Sequence, residues 1–120
     1  MINSKDKGRR GELMFCNECK KHGYNVRRSQ QYCGNTGNAP DVIGLQGIWP
    51  EVKNSKVLRL KEYLEQAKND AEKAGKGNLP TVFYKIPRGD WVAIMPLNAW
   101  FDLYGLSDIS DKDELDEVGE

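Results

Sequence analysis

Histidine is almost missing from this chain of 120 residues: His22 stands alone. A Ser–His or Cys–His nucleophile system, or a His-dependent nuclease, therefore has little to build on. Long apolar runs are missing as well. Nothing approaches the roughly 20 consecutive apolar residues of a membrane span, and the polar, charged N-terminus is unlike a secretory signal. The expectation is a soluble, cytoplasmic protein with no membrane partner. Cysteine is scarce and odd in number (Cys16, Cys19 and Cys33), so free thiols are expected rather than disulfides. Cys16-x-x-Cys19-x-x-His22 has some zinc-like spacing. The two cysteines lie in a helical run without a knuckle turn, however, and small core residues are their expected role.

What is present suffices for one modest core: 38% hydrophobic and 30% charged residues, in a length that fits a single domain. Net charge is zero, an odd balance for a nucleic-acid-binding protein, but it is unevenly distributed. Of 18 basic and 18 acidic residues, one and seven fall in 107–120, leaving 17 against 11 in 1–106, a net of +6. Residues 1–106 are expected to form a basic domain, and residues 107–120 an acidic, disordered tail that favours solubility.

The most informative stretch is Pro40-Asp41, nine residues, then Glu51-Val52-Lys53. Two carboxylates and an ammonium end two short, apolar, strand-like runs, Asp41 to Leu45 and Ile48 to Lys53. Converging carboxylates repel unless a cation sits between them, and a hard divalent ion such as Mg²⁺ takes oxygen ligands of this kind. A neighbouring lysine supplies positive charge where a phosphate would lie. The set suits metal-dependent hydrolysis of a phosphodiester. A hairpin with the three-residue loop Leu45-Gln46-Gly47 places Asp41 directly across from Glu51, with Gly47 at the left-handed position. A two-residue turn would put the two acids on opposite faces. Glu51 and Lys53 share a face in either register.

A helix is expected from about Ser4 to His22, stopped by Gly23. At steps of roughly 100°, Phe15, Cys19, Cys16 and Leu13 fall on one core-facing arc, and Glu12 falls inside it. A glutamate there needs a cation or an ion pair, with Arg9 or Arg10 as alternative partners. Gly8 and Gly11 lie on or beside the same stripe and permit close approach of another chain. A second helix is expected from Val57 to Ala74, with Leu60, Tyr63, Leu64, Ala67, Ala71 and Ala74 on its inner stripe and Gln66 at the edge. Strands follow at Thr81 to Ile86 and Trp91 to Met95, joined by the turn Pro87-Arg88-Gly89-Asp90. A short helix starts at Pro96, and Trp91, Trp100 and Phe101 read as core or dimer surface. The segment from Gln30 to Ala39 has no periodicity and reads as a mobile loop leading to Asp41. Arg9, Arg10, Arg27, Arg28, Lys56 and Arg59 flank these acids in sequence and suit phosphate contacts that position DNA without reading bases.

Gly11-Glu12 on a first helix is followed by Gly23-Tyr24-x-Val26-x-Arg28-Ser29, a Gly/Asn-rich loop, Pro40-Asp41, Glu51-Val52-Lys53 and a helix carrying Glu65-Gln66. This order resembles the PD-(D/E)xK nuclease superfamily over about residues 8 to 100. Within it, the pattern looks most like the archaeal-type Holliday junction resolvases, including phage versions. The resemblance implies a single-domain α/β fold, with a mixed central β-sheet flanked by helices in a restriction-endonuclease-like core. It implies a Mg²⁺-dependent endonuclease, with Mn²⁺ as substitute, acting as a homodimer on four-way DNA junctions in the cytoplasm of a bacterial host or archaeal cell. Glu12, Asp41 and Glu51 would hold the metal, with the Val52 backbone carbonyl, and Lys53 would align the attacking water. Ser29 and Gln66 match residues near the site. The Asp41–Glu51 linker is shorter here than is usual in the archaeal enzymes, and the acidic tail is outside the pattern. Two other functions fit less fully. One is a nuclease of the same superfamily acting on flaps, nicks or duplex DNA. The other is a non-catalytic DNA-binding module, against which the full set of charged site residues argues.

Overall fold

The computed structural model describes residues 4–29 and 39–110. Its first element, α1 (Ser4–Lys21), stops where a glycine allows it. Gly23 takes φ +91°, its amide bonds to the Lys20 carbonyl, and the Tyr24 amide bonds to the Cys19 carbonyl. These paired bonds satisfy the last carbonyls of the helix. Phe15, Cys16 and Cys19 bury the inner face against Val26, Val42 and Val52. The Phe15 ring stacks on Phe83 at 4.4 Å and tilts against Trp91 at 5.4 Å. Leu13, expected on this face, is 47% exposed. It stands at the far edge of the arc, roughly 160° from Phe15 at helical steps, beyond reach of the sheet.

Two short strands, β1 (Arg27–Arg28) and β2 (Val42–Ile43), pair antiparallel, with Arg28 opposite Val42. Between them, residues 30–38 lie outside the described residues, and with them the expected loop and Cys33. The main sheet has the order β3 (Ile48–Lys53), β4 (Leu79–Lys85), β5 (Trp91–Ile94), with β3 parallel and β5 antiparallel to β4. The expected hairpin ladder between the Asp41 and Glu51 runs is therefore replaced: β2 pairs with β1, and β3 pairs with β4. The turn itself forms as expected, with Gly47 at φ +85° and the Ile48 amide on the Leu45 carbonyl at 3.1 Å. Gly44 takes φ +124°, and a Cβ there would lie 2.6 Å from the Asn25 carbonyl oxygen, so only glycine fits.

Helix α2 (Leu60–Ala74) connects the parallel strands β3 and β4 and covers the face opposite α1. Tyr63 and Ala67 pack on Val82 and Tyr84. Small alanines let the helix sit close to the sheet, and Gly75 ends it at φ +68°. The helix starts three residues later than its periodicity suggests. The Ser55 hydroxyl donates to the Val57 carbonyl at 2.8 Å and holds the preceding segment in a non-helical course. Helix α3 (Leu97–Gly105) follows Pro96 as expected. It buries Ala99 and leaves Leu97, Trp100 and Phe101 exposed, so of the three aromatics named above only Trp91 joins the core. Ser107 bonds back to Tyr104, and residues 111–120 of the acidic segment lie outside the described residues. Among the described residues no helix is long and apolar enough to cross a membrane.

Candidate active site

β3 is an edge strand, and its free edge is where the site begins. Pro50 and Val52 are two apart, so their nitrogens point to the same side. Proline has no N–H to leave unpaired there, and the Val52 amide donates to Asp41 Oδ2 at 2.9 Å. Asp41 thus reaches the strand through its side chain instead of a backbone ladder. The backbone around it is held by the Ser29 amide, which donates to the Asp41 carbonyl at 3.0 Å. That bond brings Ser29 beside Asp41. In an extended strand the N–H and C=O of one residue leave on the same side, so the Val52 carbonyl faces the same edge.

Strand alternation sends Val52 into the α1 core and turns Glu51 and Lys53 toward α2. Glu51 is 4% exposed and accepts a hydrogen bond from Trp49 Nε1 at 3.2 Å. Asp70 of α2 lies near enough to help raise its carboxyl. Lys53 Nζ donates to Gln66 Oε1 at 3.0 Å and lies 5.0 Å from the centre of the Tyr63 ring. The chain after Lys53 is pinned from both sides. Asn54 Nδ2 donates to the Lys7 carbonyl at 3.3 Å, in the space that Gly11 leaves open, and Tyr84 donates to the Ser55 carbonyl at 2.8 Å.

Glu12 is partly buried on α1, as its place inside the arc requires. Its partner is Arg28, whose Nε donates to Oε1 at 2.8 Å, rather than Arg9 or Arg10. Those two arginines are exposed, as are Arg27, Lys56 and Arg59, so each is free to meet a phosphate, whereas the Arg28 guanidinium is committed to Glu12. His22 is turned outward to Glu18 at 3.5 Å, while Cys16 and Cys19 are buried. Burial pushes the Cys19 thiol up to about 11, so it is no thiolate at neutral pH. Both observations agree with core cysteines rather than zinc ligands.

The electrostatics are those of crowded, desolvated acids. Burial pushes the Asp41 carboxyl up to about 6. The Val52 amide opposes this, Glu12 and Asp70 add to it, and Lys53 draws it back. Burial raises Glu51 further, to about 8, followed by the Asp41 charge and the Asp70 hydrogen bond, against Trp49 and Lys53. A divalent cation would offset the repulsion within such a pair. Magnesium needs only one or two carboxylates, with water and phosphate oxygens for the rest. Asp41 and Glu51 fit that demand in donor type and in uncompensated charge. No three acidic, cysteine or histidine side chains among the described residues stand close enough to ring an ion, because Glu12 is turned to Arg28. Trp49, Asn54, Tyr63 and Asp70 escaped sequence reasoning. Asp70 alone left a signal there, as a carboxylate one turn after Gln66.

Fold and site together define a small α/β domain with a nuclease fold: a mixed sheet between helices, with a glutamate and a lysine on its edge strand and an aspartate bonded to that edge. The Holliday junction resolvase Hjc of the archaeal hyperthermophile Archaeoglobus fulgidus shares this fold, with a TM-score of 0.53 and 28% sequence identity over 74% of this chain and 72% of that one. No protein-family model and no curated protein sequence matches the chain.

Proposed function

We propose that this protein is a Mg²⁺-dependent endonuclease that cuts branched DNA, a Holliday junction resolvase acting as a homodimer. The observation that carries the reading is the meeting of Asp41, Glu51 and Lys53 at one sheet edge, in a fold and at an identity shared with a resolvase. Asp41 and Glu51 hold the ion, with Glu12 nearby and the Val52 carbonyl on the same edge. A bound Mg²⁺ or Mn²⁺ supplies Lewis-acid polarisation of the phosphate and a more acidic water. Lys53, steadied by Gln66 and the Tyr63 ring, aligns that water and offsets charge developing on the phosphate. Cleavage is direct hydrolysis by that water. Arg9, Arg10, Arg27, Lys56 and Arg59 take the flanking phosphates. A four-way junction offers two equivalent strands, and a two-fold dimer places one site on each. The exposed Leu97, Trp100, Phe101 and Leu106 of the α3 region supply apolar surface for that dimer.

The test is cleavage of four-way, flap and linear DNA with Mg²⁺, for the wild type, Asp41→Asn and Lys53→Ala. Cutting of the junction alone, abolished in both variants, is expected. Binding of all three substrates without cutting any would remove the enzyme reading. Equal cutting of linear duplex would remove the resolvase reading and leave the nuclease.

A further inference from the structure

Between Lys53 and the body of α2 the chain interleaves cations with apolar side chains. Lys56, Val57, Leu58, Arg59, Leu60 and Lys61 are all exposed, Val57 at 64%, Leu58 at 41% and Leu60 at 47%. No acid falls between Glu51 and Glu62. The apolar side chains are open to water, yet the backbone that leads into them is fixed. The Val57 carbonyl accepts from the Ser55 hydroxyl at 2.8 Å, and the Tyr63 hydroxyl stands 2.6 Å from that hydroxyl and 3.5 Å from the carbonyl. Tyr84 donates to the Ser55 carbonyl at 2.8 Å. The Tyr63 ring also lies under the Lys53 ammonium, 5.0 Å from its centre. One ring and one hydrogen bond therefore separate the start of the apolar segment from the lysine of the candidate site. Three apolar side chains within four positions form a patch rather than isolated exposed residues, and such a patch marks a contact surface. A second copy of this chain suits it poorly. Across a two-fold axis Lys56, Arg59 and Lys61 would face their own equivalents, and like charges at close range repel. The α3 surface has no lysine or arginine in 97–110 and meets no such obstacle. DNA complements both features at once, with phosphates for the cations and base faces for the apolar groups.

We propose that Val57, Leu58 and Leu60 form a wedge that enters an open base step at the branch point of the DNA, while Lys56, Arg59 and Lys61 hold the phosphates on either side. This rests on the nuclease reading above for where the DNA lies, and it names what tells branched DNA from linear. Apolar side chains that enter a base step must unstack it. The cost is least where the bases are already unstacked, so a branch point admits the wedge more readily than a continuous duplex does.

The test is DNA binding in EDTA, with cleavage as a separate assay, to a four-way junction carrying 2-aminopurine at the branch point and to a linear duplex carrying it at mid-length. Binding of the wild type should change the fluorescence of the junction and leave that of the duplex unaltered. The double variant Val57→Ser, Leu58→Ser is expected to abolish that change and to weaken junction binding by about tenfold or more, with duplex binding altered less than about twofold. Val57→Ile with Leu58→Met stays apolar and should retain both the signal and the affinity. Lys56→Ala removes a phosphate contact and should weaken both DNAs alike. All these positions are exposed, and circular dichroism melts confirm folding. Wild-type junction binding in the serine variant, or a loss as uniform as that of Lys56→Ala, overturns the inference. So does a serine variant that is monomeric where the wild type is dimeric, which would make the segment a contact between copies. Each of these results leaves Mg²⁺-dependent cleavage standing. A wild-type protein that neither binds nor cuts any DNA overturns the nuclease reading as well.

Discussion

Glu51→Gln is expected to stabilise the metal-free protein at alkaline pH while destroying metal binding. Glu51 is 4% exposed, and its carboxyl is raised from 4.5 to about 8. A raised acid binds its proton more tightly folded than unfolded. Its ionisation therefore costs nothing well below pH 4.5, costs progressively more from there to about 8, and reaches a constant cost above. At about 1.4 kcal/mol per pKa unit, the full span is on the order of 5 kcal/mol at pH 9 and under about 1 kcal/mol at pH 5. Glutamine has the same shape and keeps an oxygen for the Trp49 indole, so that contact is retained. In EDTA at pH 9 the variant should melt roughly 15 to 20 °C above the wild type, and within a few degrees of it at pH 5. Mg²⁺ should raise the melting temperature of the wild type most at pH 8 to 9, where the buried charge is largest, and should leave the variant unmoved. Equal melting temperatures in EDTA at pH 9, or a less stable variant, would refute the burial argument and the cation site built on it.

Three further outcomes follow from the same geometry. Lys53→Ala should lower the single-turnover cleavage rate by at least about 100-fold, with junction affinity in a gel-shift assay nearly unchanged, because the lysine contacts Gln66 and Tyr63 within the site. Phe101→Glu, at a residue of α3 that is 56% exposed, should shift the protein from dimer to monomer in sedimentation equilibrium without lowering its thermal stability. Gly44→Ala should cost about 2 kcal/mol or more in urea unfolding, since φ +124° and an approach of 2.6 Å to the Asn25 carbonyl both exclude a Cβ.

The local elements were legible because each depends on residues close in the chain. The helix periodicities, Gly23 and Gly75 as stops, Gly47 in its turn and Pro96 as a helix start all rest on backbone rules that act within a few residues. Glu51 and Lys53 sharing a face follows from strand alternation alone, and a buried position for Glu12 from its angle on the helix. Strand partners were not legible. Asp41 and Glu51 looked like a hairpin because they are near in sequence. The choice of partner for β3 is made instead by α2, which returns the chain to lay β4 alongside it, and by Pro50, which leaves the other edge unfit for a ladder. That vacancy lets the Asp41 side chain bond the Val52 amide. The partner of Glu12 was equally hidden, since Arg28 lies 16 residues away along the chain. Composition and short-range pattern thus determined which acids and which lysine are candidates for the proposed chemistry. The packing of two helices on opposite faces of one sheet decided which of them meet, because only burial and register bring distant charges within hydrogen-bonding range.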